Sequence, residues 1–460
     1  MASPACSCSD RENSFTFLRL FFALAVVFGH SYVLTGYGGE PLSLLSRGVI
    51  SGREIAVQSF FILSGFLIAK SLGENPSLWR FACHRAFRIL PAYWVHLCGV
   101  VFILAPFLNS LRWPNQFSYS QLLNLGQKSA WNYFLQNWAV QAQQTDIVPL
   151  FPRNFLCFNV NGSLWSVHYE VTFYLLAAIA AAARLLSQRL TILLSAAALL
   201  GAYQFGSIIL AFAALAGLWR VCFPKGYGIF ALFSGLYVCG LLVTFAPGAF
   251  EFLPLSFAMW LQPVFHPMWR VSGLAFLGGM ICWRYRQNLR WEHSWFAAAS
   301  ALLILGTSLH HWETVMPLTL PYLVLFLGLR LPFQKVERMG DFSYGIYLFS
   351  FPIQQMLAHW EVQRAGFYTY LVLSLLLSFT AGALSWFCVE KPALNLGRKI
   401  GRWQPKIRTW FTHGLALRIW PPRASWTNGL LSPYIDQGPR GTSRNSTNFH
   451  AVTSVFSRLK

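Results

Sequence analysis

Residues 15–35 read FTFLRLFFALAVVFGHSYVLT, an apolar run long enough to cross a bilayer as one helix, with only Arg19 and His30 ionisable inside it. The run follows basic residues and has a short apolar centre, as a signal peptide would. It lacks a small-residue cleavage site, however, and reads as a retained first helix. Similar runs of about 15 to 25 residues recur as far as residue 390. Apolar residues make up 55% of the chain and charged ones 11%, where a soluble domain carries about 25% charged. So little charge cannot cover a water-soluble surface. The expected fold is therefore all-α, a polytopic integral membrane bundle of about ten spans.

Candidate spans fall at roughly 15–35, 55–72, 89–108, 163–183, 190–219, 228–247, 258–283, 295–310, 316–332, 341–359 and 368–389. The run 190–219 serves as one tilted helix or as two short ones broken near Gln204 and Gly206. Basic residues cluster in alternate loops: Lys70, Arg80, Arg85 and Arg88; Arg184 and Arg189; Arg284, Arg286 and Arg290; Lys335 and Arg338. The positive-inside rule places these loops and both termini in the cytoplasm. An even number of spans must then lie between Arg189 and Arg284, which leaves ten or twelve in all. The domain reading is a cytoplasmic segment 1–14, a transmembrane domain 15–395 and a basic, weakly ordered cytoplasmic tail 396–460.

The net charge of +20 is unevenly spread, because residues 398–460 hold eleven Lys or Arg against the single acid Asp436. The tail thus reads as a partner of anionic lipid headgroups. Nucleic acid is not expected as a partner, since no recognisable nucleic-acid-binding motif accompanies the charge. Nine scattered cysteines show neither a disulfide framework nor zinc spacing, so no metal and no bound cofactor are expected. The longest connection, 109–161, is rich in Asn, Gln, Trp and Pro. Its aromatics Trp131, Tyr133, Phe134 and Trp138 suggest an ordered segment lying at the interface or folding back over a cavity, outside the cell.

An ionisable side chain within the bilayer is costly and calls for a partner or a function. Arg19 and His30 are eleven residues apart, close to three helical turns, so they share one face at a separation of about 16 Å. They can line one cavity, although a lone membrane histidine also serves in interhelical hydrogen bonding. Ser64, in Phe60-Phe61-Ile62-Leu63-Ser64-Gly65-Phe66, permits close packing with its glycine or contributes a hydroxyl to a site. Arg85 and Arg88 lie three apart at the cytoplasmic start of a span, where they anchor topology or form a guanidinium clamp for phosphates. Glu170 shares a helix face with Tyr174, four residues on, and reads as an inward acid that pairs with a cation or orients a histidine. Tyr344 and Tyr347 open a further span as candidate cavity-lining residues. Asp341 and Glu390 fit helix-end residues.

These strings, in this order, resemble acyltransferase family 3, membrane acyltransferases that modify lipopolysaccharide, exopolysaccharide and related glycans. The resemblance covers about 15–395. It rests on Arg19 followed by His30, the string from Phe60 to Phe66, Arg85-x-x-Arg88-Ile89-x-Pro91-x-Tyr93, Leu164-Trp165-Ser166 before Glu170 and Phe173-Tyr174, and Phe342 to Leu348. Gln58 and Ser59 stand where the family often has an acid, and Val171 where it often has a second one. The resemblance implies an acyl-CoA donor, with acetyl-CoA the expected one, and a carbohydrate or glycolipid acceptor. It marks His30, Arg19, Glu170, Arg85 and Arg88; the expected catalytic residues are His30, Arg19 and Glu170, and the expected donor-binding ones Arg85, Arg88 and, as a further candidate, Ser64. It also implies a bacterial inner membrane location. A glycan or acyl-group transporter is the rival reading. Such a transporter would usually show paired repeats or broken helices in matching halves, and the sequence shows none. The sequence does not specify an oligomeric state.

Overall fold

The computed structural model describes residues 13–74, 77–112, 126, 128–148, 150–183, 237 and 267–402. The chain divides into a unit Met1–Ile419 and a second, Trp420–Lys460, which lies wholly outside the described residues. The runs 190–219 and 228–247, apart from Tyr237, also lie outside them. With those runs goes the choice between ten and twelve spans.

In chain order the helices are α1 (Phe15–Thr35), α2 (Pro41–Leu45), α3 (Gly52–Glu74), α4 (Leu78–Cys98), α5 (Ala105–Arg112), α6 (Ala130–Asn137), α7 (Leu164–Ala183), α8 (Pro267–Arg284), α9 (His293–Ser308), α10 (Trp312–Arg330), α11 (Ser343–His359), α12 (Phe367–Ser385) and α13 (Lys391–Arg402). The only β pairing among the described residues is an isolated antiparallel bridge between Asp146 and Asn159. Among the described residues, six stretches are long and apolar enough to cross a membrane: Phe15–Thr35, Gly52–Gly73, Leu78–Ser110, Leu164–Ala182, Trp312–Arg330 and Phe367–Arg402. The shorter helices α8, α9 and α11 overlap the expected spans 258–283, 295–310 and 341–359.

Local chemistry accounts for several helix ends. Gly36 takes the left-handed conformation (φ 64°) that closes α1. Ser77 caps α4 by accepting the Arg80 N–H at 3.3 Å. Two π-helical turns, Gly99–Leu104 and Trp386–Glu390, join α4 to α5 and α12 to α13, so each pair is one continuous rod. The last helix thereby runs to Arg402, into the stretch that the sequence reading assigns to the tail.

Side-chain deletion sets the closest helix contact. Gly65 on α3 lies against the Phe276 backbone of α8, and Gly279 on α8 lies against the Ile62 backbone of α3. A Cβ at either position would collide with main chain, which cannot move aside as a flexible side chain can. Across the bundle, Ala23 and Val27 of α1 pack with Phe342 and Ile346 at the start of α11, joined by Phe60 and Trp386. Helices α1, α3, α4, α7 and α11 thereby surround the polar interior described next.

The long connection before α7 is ordered over its described part. Tyr93 donates to the Asn137 carbonyl at 3.0 Å, and Trp94 to that of Trp138 at 2.9 Å. Asn154 donates to Gln355 Oε1 at 2.6 Å, and Gln355 in turn donates to the carbonyls of Leu156 and Asn159. These bonds fasten the segment across the ends of α4 and α11.

Candidate functional site

Three cavities form a chain along the bundle interior. The first, of about 240 Å³, lies where α4 begins and α13 packs against it, and is lined by Arg19, Ser64, His84, Arg85, Arg88, Glu170, Tyr174, Tyr344 and Arg398. The third, of about 400 Å³, lies toward the other end. It is lined by His30, Arg53, Glu54, Gln58, Trp165, Trp312, Glu313 and Tyr347, among others. Between them sits a chamber of about 50 Å³. The chamber shares Arg19, Ser64, Glu170 and Tyr344 with the first cavity, and Val57 and Tyr347 with the third. All nine site residues read from the sequence therefore line these adjoining cavities. Arg19 and His30, on one face of α1, line the first and the third of them.

At the first cavity, charge is arranged as a buried network. Asp341 receives Arg19 at 2.6 Å and Arg88 at 2.7 Å, while the other arm of Arg88 reaches Glu390 at 2.7 Å. Ser343 donates to Asp341, and Ser385 to Glu390 at 2.9 Å. The Glu390 side chain has no solvent exposure. Two carboxylates thus neutralise two guanidinium groups, the condition under which ions are tolerated away from water.

Arg85 and Arg88, three residues apart on α4, have different surroundings in this arrangement. Arg88 is held by two carboxylates, and its guanidinium also lies 5.7 Å from the Tyr344 ring centre. Arg85 forms no ion pair among the described residues. It lies over the rings of Phe81 and Tyr174, at 5.9 and 5.5 Å, and faces the cavity beside His84 and Arg398. Asp341 and Glu390 are likewise more than helix-end residues. A count of charges could have found them, because two intramembrane arginines require acids close by. Arg398 and His84 escaped notice because they carry no pattern beyond ordinary positive-inside anchoring. Arg53 belongs to no string that the sequence reading singled out.

Glu170 sits at the narrowing with Ser64 and Tyr174. Ser64 donates to Glu170 Oε1 at 2.6 Å, Tyr174 donates to the same oxygen, and the two hydroxyls are 3.2 Å apart. The hydrogen-bond partners of this carboxylate are thus two hydroxyls, where the sequence reading offers a cation or a histidine. Ser64 has a carboxylate beside it, which leaves it hydrogen-bonded at the border of the first cavity. Tyr344 donates to the Ile89 carbonyl at 3.0 Å, and Tyr347 lies 2.5 Å from the Ser166 hydroxyl.

Three buried or half-buried histidines permit a comparison. His96 lies 3.2 Å from the amide nitrogen of Asn161, and His168 donates from Nδ1 to the Val140 carbonyl at 2.8 Å. Both tie segments together. His30 packs edge-on against Phe351 at 5.2 Å, but its buried Nδ1 has no hydrogen-bond partner among the described residues. Gln58 Oε1, on the same cavity, is also buried and unpartnered. Unmet polar atoms are rare in folded interiors and mark places where a ligand or water belongs. In the loop after α1, Glu40 accepts the Gly52 N–H at 2.7 Å. Burial raises its carboxyl above the usual range, opposed by that N–H and by Arg53.

Comparison with known proteins identifies the chemistry. A family model described as an acyltransferase domain matches residues 12–389. The O-acetyl transferase of Shigella phage Sf6 is 25% identical over 391 residues, covering 84% of this chain and 97% of that protein. Nodulation protein 10 of Rhizobium leguminosarum bv. viciae is 26% identical over 392 residues, covering 84% and 95%. No solved structure matches the chain. With a domain match over most of its length and six membrane-crossing stretches among the described residues, the chain belongs to acyltransferase family 3, as a multi-pass membrane enzyme transferring acyl groups other than amino-acyl groups.

Proposed function

We propose that the enzyme takes an acetyl group from acetyl-CoA at the cytoplasmic face and transfers it to a sugar hydroxyl of a surface glycan or glycolipid on the opposite face. The observation that carries this reading is the row of adjoining cavities. A cavity holding Arg85, His84 and Arg398 shares its wall with the chamber, and the chamber shares its own with a larger cavity where His30 presents an unpartnered ring nitrogen. A cationic mouth suits the phosphates of CoA. The distribution of basic loops supports a cytoplasmic side for that mouth and for both termini, the family resemblance supports a bacterial inner membrane, and the charge of the tail supports anionic lipid as its partner. The opposite cavity offers Trp165 and Trp312 beside Arg53, Glu54 and Gln58, a mixture of flat apolar and polar groups that suits a sugar.

In the favoured mechanism His30 removes the acceptor hydroxyl proton as the oxygen attacks the thioester carbonyl. The carbon–sulfur bond then breaks, and the CoA thiolate takes up the proton that His30 holds. Arg19, on the His30 face of α1, steers the donor or offsets developing negative charge. Glu170 positions Ser64 and Tyr174 at the donor side of the narrowing. An acyl-histidine relay would use the same ring as a nucleophile. Rapid quench with radiolabelled acetyl-CoA and no acceptor separates the two, since only the relay accumulates labelled protein.

The decisive experiment incubates purified protein in nanodiscs with labelled acetyl-CoA and glycolipid extract, and reads the glycan by mass spectrometry. A single acyl increment, dependent on the protein, is expected. Movement of unmodified glycan across vesicles, without that increment, would instead establish the transporter reading.

The donor mouth makes a second expectation. Arg85→Lys keeps positive charge but loses the guanidinium fork, and should raise the KM for acetyl-CoA about tenfold, the loss of about 1.4 kcal/mol of binding, with kcat nearly unchanged. Arg88→Lys should act mainly on stability, because Arg88 is held by Asp341 and Glu390. Equal KM for the parent and Arg85→Lys proteins would remove Arg85 from donor binding.

A further inference from the structure

The chamber between the two cavities is small, and its size bears on which acyl groups the enzyme can use. Its volume, about 50 Å³, compares with about 240 and 400 Å³ for the cavities on either side. Val57, Phe60, Phe61 and Val167 supply its apolar wall. Val167 and Phe61 are almost fully buried, and the Phe60 ring is held between Phe22 and Tyr347, each about 6.0 Å away. Packed walls of this kind do not yield cheaply to added methylenes. The chamber is also where the cationic cavity adjoins that of His30, through Ser64 on one side and Val57 with Tyr347 on the other.

We propose that this chamber is an acyl-length ruler, with Val57, Phe60 and Val167 as the residues that set the limit. The inference rests on the donor reading above and adds the basis of its chain-length selectivity. An acetyl group ends one methyl beyond its carbonyl, whereas a hexanoyl group must find room for four more methylenes. Its tail must either push Phe60 off its neighbours or pass Val57 and Tyr347 into the larger cavity, where it would occupy the acceptor's place. Discrimination therefore arises from space already filled by protein atoms.

The test measures kcat/KM for acetyl-, butyryl-, hexanoyl- and octanoyl-CoA with the full-length enzyme in nanodiscs and glycolipid extract as acceptor. Hexanoyl-CoA should be used roughly 100-fold less efficiently than acetyl-CoA, the scale on which a filled pocket rejects extra methylenes. Phe60→Ala should raise the hexanoyl-to-acetyl ratio by roughly tenfold or more. Val167→Ala should raise it in the same direction and serves if Phe60→Ala does not fold. A parent enzyme that uses hexanoyl-CoA as well as acetyl-CoA overturns the ruler. So does an unchanged ratio in a folded variant. No turnover of any acyl-CoA, with glycan modified from another donor, overturns the donor reading and the ruler with it.

Discussion

Purified His30→Gln protein is expected to insert, fold and bind acetyl-CoA like its parent while turning over roughly 10²-fold more slowly or worse, the usual scale for a lost general base. Glutamine has similar size and hydrogen-bonding reach but cannot take a proton near neutral pH. The structure sharpens this expectation, because an interhelical hydrogen bond was the competing role for a membrane histidine. His96 and His168 are hydrogen-bonded to residues of the connection before α7, whereas His30 Nδ1 has no partner among the described residues. Replacement should then cost little stability. The matched measurements are initial rate, thermal midpoint and acetyl-CoA affinity. A near-parental rate would remove His30 from the mechanism, and a collapsed midpoint would return it to a structural role.

The opposite pattern is expected for Glu390→Leu, where stability should suffer first. The change leaves Arg88 buried with only Asp341, which Arg19 also shares, so two cations face one carboxylate. Removing one partner of a buried ion pair typically costs about 3–5 kcal/mol, because the remaining charge stays away from water. Combining Glu390→Leu with Arg88→Met removes both charges and should recover much of that loss. Thermal unfolding in detergent reads both proteins. A Glu390→Leu midpoint equal to the parent's would show that water or lipid headgroups reach Arg88 and that the network contributes little.

Much of this was legible because a bilayer limits what a chain can do. Spans 15–35, 163–183 and 368–389 could be read from length and hydropathy alone, and α1, α7 and α12 lie there. Arg19, His30 and Glu170 stood out because charge in an apolar run is costly. The partners of those charges were harder to read. Asp341 and Glu390 sit at helix ends, where acids are ordinary, and they meet Arg88 across sequence separations of 253 and 302 residues. Helical periodicity carries no information over such distances. The Glu170–Ser64 bond spans 106 residues and was hidden for the same reason. Arg85 and Arg88 show the converse limit. Their spacing puts them on one side of α4, yet the neighbouring helices give them different company.

The π-helical turn Trp386–Glu390 ties the chemistry of the cavity to the phase of a rod. One residue inserted into or removed from an α-helix rotates everything beyond it by about 100° and shifts it about 1.5 Å. The wide turn holds such an offset where α12 passes into α13, with Glu390 at its end facing Arg88 and Arg398 beyond it on the wall of the donor cavity. The two residues thus share a single angular setting. Straightening this turn to regular α-helix with the residue count unchanged would leave every apolar residue of the span in the sequence, yet rotate Arg398 by about 100°, away from the mouth. For this segment, residue count constrains the enzyme as firmly as residue identity.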